Sequence, residues 1–276
     1  AETYLLMRDG LGMTSDQMAE VFEHWNKGRL SSYLIQITCD ILRHKDKGGH
    51  LLLDKILDSA LQKGTGIWSV SQSLELGVPV PLISTSVYER MISGLKELRT
   101  ARANQEKQIP VENKVPDISM SMIENALYAS KLMAYAQGFA LLKDASLHYG
   151  WSLNLVNIAR IWRAGCIIRA GALNDIMRAY RHNSHLPHLL FDPEVDHQID
   201  MLTEEWKDLL KMALSTECPM PAFFSAYQYF LSISTERSGA TLIQAQRDYF
   251  GAHTFERVDQ ARGVFFHENW TKVNEK

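Results

Sequence analysis

A run of ten residues near the C-terminus, Gln244-Ala245-Gln246-Arg247-Asp248-Tyr249-Phe250-Gly251-Ala252-His253, sets a permanent cation six positions before a titratable imidazole. Arg247 offers a planar fork of donors that matches carboxylate or phosphate oxygens, and His253 adds a donor near neutral pH. On an uninterrupted helix this spacing puts the two side chains on opposite faces. Both can reach one ligand only if Gly251 breaks the helix. Spacing alone leaves a second reading open, a surface arginine and a capping histidine.

Two more cations could join such a site. Lys63 precedes Gly64 and Gly66, whose bare backbone lets a ligand approach, although an exposed loop lysine has the same pattern. Arg169 follows Cys166, Ile167 and Ile168, an apolar run expected to bury it in part. A half-buried guanidinium needs an anion to offset its lost hydration, either an internal acid such as Asp175 or a ligand phosphate. Arg163, a turn and a half earlier, is the weaker candidate. His182, His185 and His188 lie at three-residue intervals that imitate metal spacing, but no acid or cysteine completes a set, so a surface loop over 181–193 is the expectation. No metal site is expected. The strand-helix pattern with Gly-x-Gly-x-x-Gly is missing, and Lys63-Gly64-Thr65-Gly66 lacks the Gly-Lys-Ser ending of a nucleotide P-loop.

The elements that must hold these residues read as helices. Met18, Val21, Phe22 and Trp25 recur at helical spacing after a Thr14–Gln17 capping box. Leu34, Ile37 and Ile41 form a second stripe after Ser31 and Ser32. The Gly77–Pro81 stretch ends one helix and starts another that runs towards Arg102, and 105–117 is a polar loop. A long helix spans 118–149, with Met122, Leu127, Leu132, Tyr135, Phe139 and Leu142 inward and Gly150 as its stop. Small Ala129, Ala134, Ala136 and Gly138 invite a close neighbour. Helices follow over 154–164, 167–180, 194–215, 221–234 and 240–249, and the run 264–266 is too short to count as a strand. The fold class is all-α, with residues 1–255 as one helical domain and 256–276 as an extended tail. Phe265, Phe266 and Trp270 in that tail need burial, against a second subunit or against the chain's own domain.

The 276 residues carry 29 Lys and Arg against 32 Asp and Glu, with the cations scattered, so no nucleic-acid patch is expected. Cys39, Cys166 and Cys218 are odd in number and far apart, which fits reduced thiols in a cytoplasmic protein. Neither a membrane span nor a signal-peptide pattern is expected.

The ten-residue run and four further blocks resemble the 6-phosphogluconate dehydrogenase family, in the same order. The blocks are Lys63-Gly64-Thr65-Gly66 with Trp68, Leu127-Tyr128-Ala129-Ser130-Lys131 with Tyr135-Ala136-Gln137-Gly138-Phe139, the stretch from Trp162 to Arg169, and His267-Glu268-Asn269-Trp270-Thr271. The resemblance runs from Ala1 to about Thr271 and implies the family's C-terminal helical domain. It implies that the residues matching Lys63 and Arg169 hold the phosphate end of 6-phospho-D-gluconate. Those matching Arg247 and His253 reach across a homodimer into the partner's site, with the tail packed on the partner subunit.

The implied reaction is oxidative decarboxylation at C3, giving ribulose 5-phosphate and CO2 in the pentose phosphate pathway, with NADP held by a domain that is not in this chain. Glu2 falls just beyond the family's catalytic lysine and glutamate, so the chain by itself is expected to be inactive. Ile67 stands where the pattern has a second lysine, Leu61 replaces a small glycine, Leu155-Val156-Asn157 replaces a tyrosine-glycine turn, and Gly239 takes a proline position. The four implied contacts are intact. The alternative is a non-catalytic sugar-phosphate-binding or assembly protein on the same scaffold.

Overall fold

Residues 120–149 form one unbroken helix, and much of the apolar core lies against it. The computed structural model describes residues 1–60, 64–105 and 117–270. Among these the elements are α1 (Glu2–Leu5, running into a wider turn over Leu6–Gly10), α2 (Ser15–Trp25), α3 (Tyr33–Arg43), α4 (Thr65–Leu76), α5 (Pro81–Ser93), α6 (Lys96–Gln105) and α7 (Met120–Tyr149). They continue with α8 (Leu155–Gly165), α9 (Ala172–His182), α10 (Pro193–Ser215), α11 (Pro221–Ile233) and α12 (Ala240–Gly251). The strands β1 (Phe255–Glu256) and β2 (Phe265–Phe266) close the list. The all-α expectation holds.

Helix α7 starts where the Ser119 hydroxyl accepts the Met122 N–H at 3.2 Å, and it stops where Gly150 turns left-handed at φ 68°. Its buried residues include Ile123, Ala126, Ala129, Leu132, Met133, Ala136 and Phe139, which ring the helix rather than line one stripe. A helix apolar all round belongs inside, and α4, α5 and α10 pack against it. Phe139 stacks on Tyr180 of α9 (centroids 5.5 Å apart) and meets Trp162 of α8 edge-on at 5.2 Å. Gln137, fully buried, takes the Leu82 N–H at 3.1 Å and the Ile83 N–H at 3.4 Å, and so caps α5 from across the core.

The expected capping box at Thr14 and Gln17 is present in both directions, at 2.8 and 3.3 Å. Four expectations need correction. In α3 the buried positions are Ile35, Cys39 and Leu42, while Leu34 and Ile41 face outward. The single helix expected from Pro81 to Arg102 is two, α5 and α6, because the chain turns at Gly94 and Leu95. Residues 167–171 are not helical, since this backbone bonds to the start of α3 instead. Tyr33 N–H reaches Arg169 C=O at 3.2 Å, and Gly171 N–H reaches Ser31 C=O at 2.9 Å. The short run 264–266 does contribute strand residues, as Phe255 pairs with Phe266 and Glu256 with Phe265.

His188 departs from the surface-loop expectation as well. It is buried, its Nδ1 accepts the Leu190 N–H at 3.2 Å, and its Nε2 meets the Tyr229 hydroxyl at 2.9 Å. With Nδ1 accepting, the neutral ring donates from Nε2. Burial, helped by nearby Lys143, pushes its pKa down. No group of His, Cys, Asp or Glu among the described residues is arranged to hold a metal ion, and no described helix is long and apolar enough to cross a membrane. The loop expected over 105–117 lies largely outside the described residues, and Gln105 itself closes α6.

The chain divides into two compact units, Ala1–Tyr229 and Phe230–Lys276. The first holds the helical core. The second contains the end of α11, α12, the β1–β2 pair and the start of the tail, with Thr271 onward outside the described residues.

Candidate functional site

In the second unit α12 carries Arg247 just before its last turn, and His253 follows two residues beyond Gly251. The helix does not break at Gly251. It continues through Gly251 and ends at Ala252, which takes the left-handed conformation at φ 48°, and Thr254 repeats it at φ 62°. Gly251 is needed for a different reason. A Cβ there would stand 2.7 Å from both Cδ2 and Nε2 of His253, so only glycine lets the imidazole fold back over the helix end. The ring meets Phe250 edge-on at 6.0 Å.

Arg247 is exposed, and its Nη1 donates to the neutral Gln244 Oε1 at 2.9 Å. Many other arginines lie against carboxylates, among them Arg43 on Glu23, Arg99 on Asp58 and Arg178 on Asp192. A guanidinium engaged only by an amide keeps its charge available to an incoming anion. Neighbouring Asp248 does not compete for it. That carboxylate is fully buried, its Oδ1 taking Thr254 N–H at 3.0 Å and His267 Nδ1 at 2.9 Å. Its Oδ2 takes Glu268 N–H at 3.0 Å and Trp270 Nε1 at 2.9 Å. Burial alone would raise its pKa, but the bonds from Glu268, His267, Trp270 and Thr254 together outweigh it and hold the carboxyl well below the usual carboxylate range.

The remaining candidates belong elsewhere. Lys63, with Gln62 and Leu61, lies outside the described residues. Arg169 is in the first unit, where it is exposed rather than half-buried, because Ile167 and Ile168 themselves face outward at 65% and 37% exposure. Its partners are not acids. Nη2 donates to Gln36 Oε1 at 3.2 Å, and the guanidinium lies over the Tyr33 ring at 5.0 Å. Asp175, the suggested internal partner, is half-buried and its pKa is pushed up chiefly by that burial, and Arg163 donates to Asn174 at 2.7 Å. Glu2 has a structural task, its carboxylate accepting the Ala222 and Phe223 N–H groups at 2.7 and 3.0 Å at the start of α11.

Sequence reading passed over two chemically loaded residues. One is Asp248, whose partners come from 6 to 22 residues downstream and leave no periodic signal. The other is Lys131 of α7, whose amine burial depresses to a pKa of about 8. For a dinucleotide cofactor the described residues offer no cradle. Their strands are a single two-residue antiparallel pair, whereas the doubly wound dinucleotide-binding fold has a parallel sheet with a glycine-rich turn.

These features define an all-helical domain that presents an arginine-histidine hook at the end of a short clamped unit. The C-terminal domain family of 6-phosphogluconate dehydrogenase matches residues 1–270. The chain belongs to that family. It is 46% identical over 275 residues to the decarboxylating 6-phosphogluconate dehydrogenase of Synechocystis sp. and 44% identical over 273 residues to that of Homo sapiens. Each match covers 98% of this chain but only 57% and 56% of the relative. The 6-phosphogluconate dehydrogenase of Plasmodium falciparum, solved apo, with its cofactor NADP+ and with its substrate 6-phosphogluconate, superposes with a TM-score of 0.92 at 40% identity, over 98% of this chain and 58% of that one. The chain thus spans little more than half the length of the relatives it matches.

Proposed function

We propose that this chain is the helical, substrate-binding part of an NADP-dependent 6-phosphogluconate dehydrogenase (decarboxylating), a cytoplasmic enzyme of gluconate utilization and the pentose phosphate pathway. The substrate carries a dianionic phosphate at one end and a carboxylate at the other. Charge-assisted bonds at both ends would fix its long axis and so the position of C3, where the oxidation precedes loss of CO2. In this reading Arg247 and His253 act in the partner's site of a homodimer, while Lys63 and Arg169 act in their own. Residues 1–255 carry dimerisation and substrate binding, and 256–276 pack on the partner subunit. NADP is held outside the described residues.

The observation that carries the reading is the hook itself. Among the described residues Arg247 has a neutral partner, and His253 is exposed with its ring in space that a Cβ at Gly251 would take, all within the residues that the family model matches. Arg169 contributes least, because its guanidinium already rests on Gln36 and Tyr33. A calorimetric titration with 6-phosphogluconate and with gluconate tests the proposal. Tight binding of the phosphorylated acid alone, weakened by Arg247→Ala, is expected, and equal affinity for both acids would overturn it. Ile67, 40% exposed on α4 where the family pattern has a lysine, supports a second reading as a phosphosugar-binding protein without turnover. Binding without NADP reduction in the presence of an added NADP-binding domain would select it.

A further inference from the structure

His253 is held from both sides by one residue that itself faces no solvent. The Asp248 carbonyl takes the Ala252 N–H at 2.8 Å, and its carboxylate takes the Thr254 N–H at 3.0 Å. These are the two residues flanking His253, and both are left-handed although neither is glycine. Side-chain-bearing residues stay in that region only where their surroundings fix them. The fixing comes from the tail, because His267, Glu268 and Trp270 fill the remaining lone pairs of the same carboxylate. Both oxygens are thereby saturated with two donors each. An acid next to Arg247 in sequence would otherwise compete with a ligand anion for the guanidinium. Saturation removes it from that competition and leaves Arg247 on Gln244.

We infer that Asp248 is a positioning residue: its buried carboxylate ties the tail to the left-handed turn that presents His253, and so sets how tightly the Arg247–His253 hook holds an anionic sugar ester. The inference rests on the reading of Arg247 and His253 given above. An amide in its place cannot serve. In Asp248→Asn the amide nitrogen would face a backbone N–H whichever way it was turned, that of Thr254 or that of Glu268. That N–H would lose its acceptor, and the turn would relax.

The test is a double-mutant cycle on the 276-residue chain, with dissociation constants for 6-phosphogluconate measured by calorimetry. Asp248→Asn and His253→Ala should each weaken binding roughly ten-fold, the usual scale for a bond to a charged group. If Asp248 acts through His253, the double variant should be no weaker than the worse single one. Wild-type affinity in Asp248→Asn, or losses that multiply in the double variant as a merely structural role would give, overturns the inference. Trp270→Phe removes a single donor and keeps the ring. It should weaken binding in the same direction by less, and it serves where Asp248→Asn does not fold. If the wild-type chain binds no 6-phosphogluconate, the substrate reading fails on its own. Positioning is then read by nuclear magnetic resonance. The Thr254 amide and His253 ring signals should shift and broaden in Asp248→Asn or Trp270→Phe, and unchanged signals refute it.

Discussion

The two units of this chain are held together by opposite means. In Ala1–Tyr229 order comes from apolar packing, with the Phe139, Trp162 and Tyr180 rings and the Leu173, Ile176 and Val195 side chains closed around α7 and α9. In Phe230–Lys276 large apolar side chains such as Leu242, Phe250 and Phe265 are more than 60% exposed, and the buried anchor is a carboxylate. An apolar core tolerates approximate shape but fixes no particular atom. A saturated buried carboxylate fixes donor positions to within a hydrogen bond. The scaffold is thus built by burial, and the part proposed to touch substrate is built by directional bonds.

The sharpest way to break this comparison is to remove the scaffold's central ring. Phe139→Ala should lower unfolding stability by about 3–5 kcal/mol in urea titrations, since the cavity lies among buried groups on three helices. A loss under about 1 kcal/mol would show that the ring cluster is not what holds the first unit. Arg247→Ala should do the reverse. Phosphosugar binding should weaken by about 1.5–3 kcal/mol while the melting temperature stays put, because the side chain is exposed and, among the described residues, its bond is to Gln244. A matching drop in melting temperature would make Arg247 structural.

A pH titration separates the units as well. Burial depresses the His188 pKa, so the folded chain binds fewer protons there than the unfolded one. That contribution is present above the unfolded value of about 6.5 and is lost as pH falls below it towards the folded one. Urea midpoints at pH 7.5 and 5.5 should therefore differ more in the wild type than in His188→Gln. Equal differences would mean that the buried imidazole carries no linkage. The smallest expected effect is Arg169→Ala, at under about 1 kcal/mol in binding, because a ligand would have to displace the Tyr33 ring contact that Arg247 lacks among the described residues. A loss as large as that of Arg247→Ala would restore Arg169 to equal standing in the site.

Local signals in the chain carried the scaffold well where they were truly local. Thr14 and Gln17 announce their capping box within three residues, and Gly150 ends α7 because only its own conformation is at issue. Expectations failed where a distant segment intervened. The Arg169 backbone is taken by the start of α3, so the apolar run before it never becomes helix. In α3 the stripe at Leu34 and Ile41 resembles a buried face, yet the core lies against Ile35, Cys39 and Leu42. The hook at Arg247 and His253 was legible as residue types in a run that resembles the family's. Its geometry was not, because Gly251 matters for what it lets the imidazole do and Asp248 for partners as far away as Trp270. A hint existed in the donors His267 and Trp270, which stand close together in the His267–Thr271 block.

The central claim is that one anionic sugar ester is held by cations from two copies of this chain. Mixing Arg247→Ala chains with Lys63→Ala chains under conditions of subunit exchange, and titrating the mixture with 6-phosphogluconate, tests it most directly. Each variant alone should bind weakly, whereas the mixed dimer should regain one wild-type site of its two. No recovery on mixing, or wild-type binding by the Arg247→Ala chain alone, would contradict the account.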